Sequence, residues 1–257
     1  MRSPNTLPLV RLSAVCAAAI CLCAGAALVW AQHAPVTAQV EILDSAAKPA
    51  SAAHGAVDAS AVAVWLVPLD EAAKHAAQAA RARTVPKMVQ KNKSFEPHML
   101  VVQVGSQIQF PNEDPFFHNV FSLFNGKRFD LGLYEAGSSK TLTFDRAGIS
   151  YLFCNIHPEM SAIVISVDSP YFAISDRSGR VTIPQVADGR YELQVWYERG
   201  VADNLKSLSR AVVIEESSRS LGRIPVAANP DFTLAHKNKY GQDYVPPAAG
   251  SPAYPRP

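Results

Sequence analysis

Along much of this chain apolar and polar residues alternate with the period of a β-strand. Residues 36–43 (VTAQVEIL) form a first β-rich run. Residues 61–69 (AVAVWLVPL) form a second β-rich run, and the Ala/Ser/Pro/Gly stretch between the two reads as a loop. Residues 70–83 have helix-forming composition with only alanine on the apolar face, which predicts a short exposed helix or a connector. Short strands then follow at 88–91, 99–104, 107–110, 119–122, 141–145, 150–154 and 162–167, punctuated by turn residues such as Gly105, Pro111, Gly126, Gly132, Gly137 and Gly148. Further on, Tyr191, Leu193, Val195 and Tyr197 alternate with Glu192, Gln194, Trp196 and Glu198, so one face is core and the other faces outward. The turns Asp176-Arg-Ser-Gly179 and Ala187-Asp-Gly189 bracket 181–184 in a compact meander. Many short strands without a long helix predict an all-β chain built from antiparallel sandwiches or barrels. Residues 227–257 are rich in proline and poor in apolar side chains, which predicts an irregular tail draped on the surface.

The first 31 residues break this pattern. Arg2 and Arg11 precede or open an apolar run from 12 to 30, there is no acid, and Val29-Trp30-Ala31 puts small residues at the −3 and −1 positions of a cleavage site. This reads as a secretory signal peptide over 1–31 with the mature chain starting at Gln32. The alternative is an uncleaved anchor, because the run is near the lower limit of about 17–25 apolar residues for crossing a bilayer. Arg2 and Arg11 are not adjacent, which favours Sec-type export of the unfolded chain. The expected location is the periplasm or another extracytoplasmic space, with no stable membrane insertion after cleavage.

Composition changes the picture mainly through charge and cysteine. The full chain carries 24 Lys+Arg against 22 Asp+Glu and is 48% hydrophobic, which excludes a disordered or collagenous chain and a dedicated nucleic-acid binder. Arg2 and Arg11 are the only charges in the leader, so the exported chain balances at zero and offers no reason to expect nucleic acid. Of the four cysteines, Cys16, Cys21 and Cys23 leave with the leader and Cys154 remains. A single thiol in an oxidising compartment cannot close an intramolecular disulfide. It pairs between chains, stays buried and inert, or binds something.

The neighbours of Cys154 bear on that choice. Tyr151-Leu-Phe-Cys-Asn-Ile-His-Pro-Glu-Met160 sets a thiolate, an imidazole and a thioether at C-x2-H-x2-M, and Phe116-Phe-His-Asn-Val-Phe-Ser122 offers a second imidazole at the start of a strand. Two histidines and one thiolate in a near-trigonal plane with a weak axial methionine suit both Cu(I) and Cu(II), so little reorganisation accompanies electron movement. The candidate ligands are His118, Cys154, His157 and Met160. Each alone has a plainer explanation: a cysteine is usually a buried hydrophobe, a methionine fills a core, and a loop histidine lies on the surface. Their convergence around the only exported cysteine favours a metal. An axial thioether suits Cu(I) better than zinc, and no C-x-x-C-H motif for a c-type haem occurs.

With these residues in hand, 85–168 resembles a cupredoxin, the plastocyanin and amicyanin family of blue copper proteins. The resemblance rests on the strand 107–110 followed by Pro111-Asn-Glu-Asp114, on His118-Asn119, on the Gly148 turn, and on the ligand loop ending at Met160. The short loop with Pro158 after the histidine is similar to amicyanin. With Phe129-Asp-Leu-Gly132 between the ligands, the whole resembles exported cupredoxin-like proteins labelled methylamine utilisation proteins. The resemblance implies a Greek-key sandwich, one type 1 copper per chain, a backbone N–H of Asn119 donating to the thiolate, and an exposed edge of His157 as the route for electrons. Glu159 departs from the apolar residue expected beside such a loop and implies a more polar docking surface.

Residues 171–198 resemble a carboxypeptidase-regulatory, transthyretin-like β-sandwich, through Asp176-Arg-Ser-Gly-Arg-Val-Thr-Ile-Pro184 and Asp188-Gly-Arg-Tyr-Glu-Leu-Gln-Val195. The expected organisation is therefore a leader (1–31), N-terminal strands (36–69), a copper domain (85–168), a second sandwich (171–226) and a tail (227–257). The N-terminal strands belong either to the copper domain or to a discontinuous second sandwich into which the copper domain is inserted. Pairing of 62–68 with 190–198 distinguishes the two. The expected function is one-electron transport between a redox donor and acceptor, both unidentified, and not enzymatic turnover. His33, His54, His75, His98 and His236 are scattered without the spacing of a second copper centre. The alternatives are a module that stores or delivers copper without redox exchange, and a binding module in which copper is structural.

Overall fold

The structure is a computed structural model that describes residues 33–43, 58–80, 84–123 and 126–244. The predicted leader and the end of the predicted tail lie outside the described residues. Sixteen strands and two short helices make the described chain all-β. The strands are β1 (Val36–Leu43), β2 (Val62–Pro68), β3 (Val89–Lys91), β4 (Ser94–Glu96), β5 (Met99–Gln103), β6 (Ser106–Pro111), β7 (His118–Ser122), β8 (Phe129–Tyr134), β9 (Ser139–Phe144), β10 (Gly148–Phe153), β11 (Ser161–Val167), β12 (Phe172–Ile174), β13 (Arg180–Ile183), β14 (Gly189–Tyr197), β15 (Arg210–Ile214) and β16 (Ser220–Ala227). Helix α1 (Glu71–Ala79) follows β2, and α2 (Ala202–Leu208) follows β14.

The strands build two sandwiches. In the flanking sandwich, a three-stranded sheet β13-β1-β16 faces a four-stranded sheet β12-β2-β14-β15. Here β2 pairs with β14 from Tyr191↔Pro68 to Tyr197↔Val62, and with β12 through Phe172↔Trp65. The chain between β2 and β12 therefore leaves this sheet and returns to it. On that excursion it builds the central sandwich, with a five-stranded sheet β5-β11-β10-β7-β8, a two-stranded sheet β6-β9 and the hairpin β3-β4.

Alternation explains the edges and double burial explains the seam. In β1, Val36, Ala38 and Val40 are buried, with exposed residues between them, and Tyr191, Leu193 and Val195 of β14 are buried from the facing sheet, with half-buried residues between them. The other faces of β2 and β14 are also covered. Ala63, Trp65 and Trp196 meet Met99, Val101, Ile163, Ile165 and Val167 of the central sandwich in a second apolar layer. Trp196, expected to face outward, instead packs edge-on to Tyr151. Strands buried on both faces read as near-continuous apolar runs, as 162–167 does. Complete burial of an Ile such as Ile163 contributes about 1.5–3 kcal/mol, which makes this seam a substantial joint.

Helix α1 forms where an exposed helix or connector was predicted. Asp70 caps it by accepting from the Ala73 amide at 2.8 Å, and its second oxygen accepts from the Arg190 amide at 2.6 Å, tying the helix to β14. The adjacent Gly189 has φ +152°, and a Cβ there would lie 2.9 Å from Ala73 Cβ, so glycine permits this close approach. Two elements are missing from the sequence reading of the central sandwich. Strand β4 has only three residues, and β8 (FDLGLY) carries Gly132 at φ +68°, which obscures its alternation.

Candidate metal centre

The site is set by two neighbouring strand ends. Strand β10 pairs with β11 from Gly148↔Ser166 to Phe153↔Ser161, so residues 154–160 form the loop that closes this hairpin. Within it Cys154 N donates to Met160 O at 3.3 Å and Met160 N donates to His157 O at 3.1 Å, a compact turn that points its donors inward. The pair Phe153↔Phe121 then places the start of the loop beside β7, whose first residue is His118. The sequence elements separated by 36 positions are thus brought together by one strand pairing.

His118, Cys154 and His157 are the one group of potential ligands of this kind among the described residues, with ligand atoms all within 4.8 Å of one another. The separations are 3.1 Å between the two Nδ1 atoms, 3.6 Å from Cys154 Sγ to His157 Nδ1, and 3.8 Å from Sγ to His118 Nδ1. The centre of that triangle lies about 2.0 Å from each corner, which is the reach of a transition-metal bond to imidazole nitrogen and slightly short for thiolate sulfur. His118 and Cys154 are 0% exposed and His157 is 4% exposed. Met160, also fully buried, packs in the same apolar cluster as Cys154.

Each donor is prepared by its surroundings. His118 Nε2 lies 2.8 Å from Asp114 Oδ2; with the Nε2 proton donated there, the Nδ1 lone pair faces the centre of the triangle. Asp114 is itself held by the backbone amides of Asn92 at 2.7 Å and Lys93 at 2.9 Å, in the turn between β3 and β4. Burial works against its carboxylate, but those amides and His118 hold it below the usual carboxylate range. Burial pushes His118 down despite Asp114, and burial together with neighbouring His118 pushes His157 down to about 4, so both imidazoles are neutral donors near pH 7. Burial raises the Cys154 thiol, while the backbone amides of Ile156, Asn119 and His157 donate to its sulfur and favour the thiolate. Two neutral nitrogens and one sulfur that hydrogen bonds favour as thiolate, converging inside an apolar shell, fit a soft or borderline metal ion.

The resemblance put the N–H of Asn119 on the sulfur, and that amide is among the backbone groups that favour the thiolate. The side chain of Asn119 adds a brace, donating to Asp130 Oδ1 at 2.7 Å and to Gly132 O at 3.0 Å on β8. The exposed edge expected of His157 is absent. The ring is covered, with Phe116 5.5 Å away between centroids, because the loop tucks the imidazole beneath that aromatic residue. Pro158 and Glu159 are the exposed loop residues. Sequence reasoning assigned no role to Asp114, although its place four residues before His118 was a usable signal. It also missed the tail residues His236, Lys239 and Tyr244, which sit against the ligand loop and carry no recognisable spacing.

No protein-family model matches the chain, and no curated protein matches it. Several solved structures are similar over part of it. One is a copper-containing nitrite reductase from Thermus scotoductus SA-01, at 24% identity and TM-score 0.32, covering 39% of this chain and 27% of that one. The chain therefore spans about a quarter of the reductase's length. A purple cupredoxin from Nitrosopumilus maritimus matches at 20% identity and TM-score 0.29, covering 32% of this chain and 99% of that one. A reduced amicyanin variant matches at 23% identity and TM-score 0.31, covering 35% and 90%.

Proposed function

We propose that this chain is an exported type 1 copper protein of the cupredoxin kind, a one-electron carrier between two redox proteins and not an enzyme. The observation that carries the reading is the buried triangle of His118 Nδ1, Cys154 Sγ and His157 Nδ1, with sides of 3.1, 3.6 and 3.8 Å. One copper would be held by these three atoms, and the buried Met160 thioether would be a further, weaker donor. Bound copper supplies reversible one-electron chemistry. The residues of the chain do the rest. Asp114 orients His118, three backbone amides temper the thiolate, and the apolar shell from Phe110, Val120, Phe144 and Leu152 excludes water. A closed site with ligands exposed by 4% or less supports retention of the metal and speaks against a rapid delivery module. Export by the 1–31 leader belongs to the same reading. Among the described residues no helix is long and apolar enough to cross a membrane.

The test is copper reconstitution of the protein followed by visible spectroscopy and voltammetry. The expected result is an intense thiolate-to-copper absorption, a reversible one-electron wave, and loss of both in Cys154→Ser. A colourless, redox-silent complex overturns the reading.

A further inference from the structure

The tail predicted to be irregular is a segment that lies against the loop of Cys154 and His157. After β16, residues 229–244 leave the flanking sandwich, where Asn229 N donates to Arg199 O at 2.7 Å, and cross to the ligand loop. There they make contact at several separate points. His236 Nε2 donates to Pro158 O at 2.8 Å, and its ring stacks on Phe153 with centroids 3.9 Å apart. Lys239 N donates to Asn155 Oδ1 at 3.0 Å, and the Tyr244 hydroxyl donates to Cys154 O at 2.8 Å. Cys154, Asn155 and Pro158, three residues of the ligand loop, are thus each held from outside.

A fourth tie reaches the strand that carries His118. Lys239 Nζ pairs with Asp130 Oδ2 at 2.7 Å, and the other oxygen of Asp130 accepts from Asn119 Nδ2 on β7. The segment keeps its shape through a turn in which Asn238 Oδ1 accepts from the amides of Tyr240 at 2.9 Å and Gln242 at 3.0 Å. Between these points it does not seal against the sheet. An apolar cleft of about 530 Å³ lies between Leu123, Tyr151 and Phe153 on one side and residues 234–238 on the other. A segment fastened by discrete polar contacts over a cleft can lift as a unit, whereas one packed continuously cannot.

We infer that residues 229–244 are a strap, and that His236, Lys239 and Tyr244 are positioning residues that hold the ligand loop in its metal-binding shape and control access to Cys154. The purpose of the strap rests on the metal-site reading, but its contacts do not. Opening the loop requires these ties to break first, so the strap sets how fast the buried thiol meets a reagent and how fast a bound metal leaves.

The test follows alkylation of Cys154 in the metal-free protein, read at the Cys154 peptide by mass spectrometry. Where opening and closing are fast, the rate tracks the open population. Losing one ordinary hydrogen bond raises that population about fivefold, so Tyr244→Phe should react about fivefold faster, and His236→Ala/Lys239→Met/Tyr244→Phe about a hundredfold faster. Lys239→Arg keeps the charge pair with Asp130 and should rescue Lys239→Met. Lys74→Ala, which breaks the Lys74–Glu71 pair on the flanking sandwich, should leave the rate unchanged. In the copper-loaded triple variant the thiolate-to-copper band should shift and a chelator should strip the metal faster, neither of which general destabilisation of a distant region produces. Rates within about twofold of the parent in both Tyr244→Phe and the triple variant overturn the strap. Should the triple variant lose cooperative unfolding, Tyr244→Phe, which removes one hydroxyl, decides alone. Since the alkylation arm needs no metal, it supports or overturns the strap even in a protein that fails to bind copper.

Discussion

The two sandwiches bury different chemistry. The flanking sandwich encloses an apolar core of Val, Leu, Ile, Ala and Tyr, and its buried polar side chains Ser169 and Ser175 donate to nearby carbonyls, Leu66 O at 2.5 Å and Ala59 O at 2.6 Å. The central sandwich buries Gln90, Asn112, Asp114, His118, Asn119, Ser122, Ser150, His157 and Ser166. The buried side-chain atoms without a hydrogen-bond partner among the described residues, Gln90 Oε1, Asn119 Oδ1, Ser122 Oγ and Ser166 Oγ, are all in this second group. Burying polar groups is unfavourable unless they are paired, so a fold that needed only stability would resemble the flanking sandwich throughout. The contrast marks where selection for a site has overridden selection for a core: Asp114 with His118, and Asn119 with Asp130, form polar pairs at the end of the sandwich that carries Cys154.

Substitutions can probe this contrast from either side. The largest effect is expected in the apolar sandwich. Leu66→Ala, at a fully buried position of β2, should lower stability by about 2–5 kcal/mol in chemical denaturation, through lost transfer energy and the cavity left behind. Its copper absorption should be unaltered below the unfolding transition. A change in the spectrum would show that the two sandwiches are not separable in this way.

A smaller effect, of the opposite kind, is expected at Asp114. Asp114→Asn keeps the shape but weakens the orientation of His118, and metal affinity should fall roughly 10- to 100-fold. Competition with a chelator measures it. An affinity equal to the parent's would remove Asp114 from the site. The metal-free stability of this variant should change less than that of Leu66→Ala.

The smallest effect concerns the boundary between the sandwiches. His98, just before β5, has Nδ1 3.2 Å from Ser161 O and Nε2 2.9 Å from Glu198 Oε2 at the end of β14. Both neighbours are acceptors, so the imidazolium satisfies them best, and the hydrogen bond to Glu198 raises the His98 pKa against the opposing effect of burial. Tyr151 and Tyr197, the other titrating groups near Glu198, are raised by burial and stay neutral in this range. A raised folded-state value means the link stabilises fully below the unfolded value of about 6.5 and is lost as pH rises through the folded value. The side chain is 46% exposed, so solvent screens the pair and the effect is modest. Thermal unfolding followed from mildly acidic to mildly alkaline pH should show a small downward trend that Glu198→Gln flattens. An identical profile in both proteins would sink the assignment.

Much of this could be seen in the sequence because the relevant signals are local. β-rich composition marked β1 at its observed limits and alternation marked the core face of β14, while the Cys154–His157 spacing and the histidine of Phe116-Phe-His118 named three residues whose ligand atoms lie within 4.8 Å of one another. Short or glycine-interrupted strands such as β4 and β8 were invisible because too few residues repeat to define a period. Trp196 was assigned to solvent because alternation reports two faces of a strand, not whether another sheet covers the second.

Residue type and short-range spacing were enough to indicate the all-β character and to name candidate donors, since each of these signals is written within a few positions. The partners were chosen only by packing. It paired β2 with β14, hid His157 beneath Phe116, set Asp114 against His118, and brought His236, Lys239 and Tyr244 onto the loop of Cys154. A strand's pattern states that a face must be buried, and a donor's chemistry states that it must be satisfied. Which distant segment covers that face or satisfies that donor depends on how the whole chain packs.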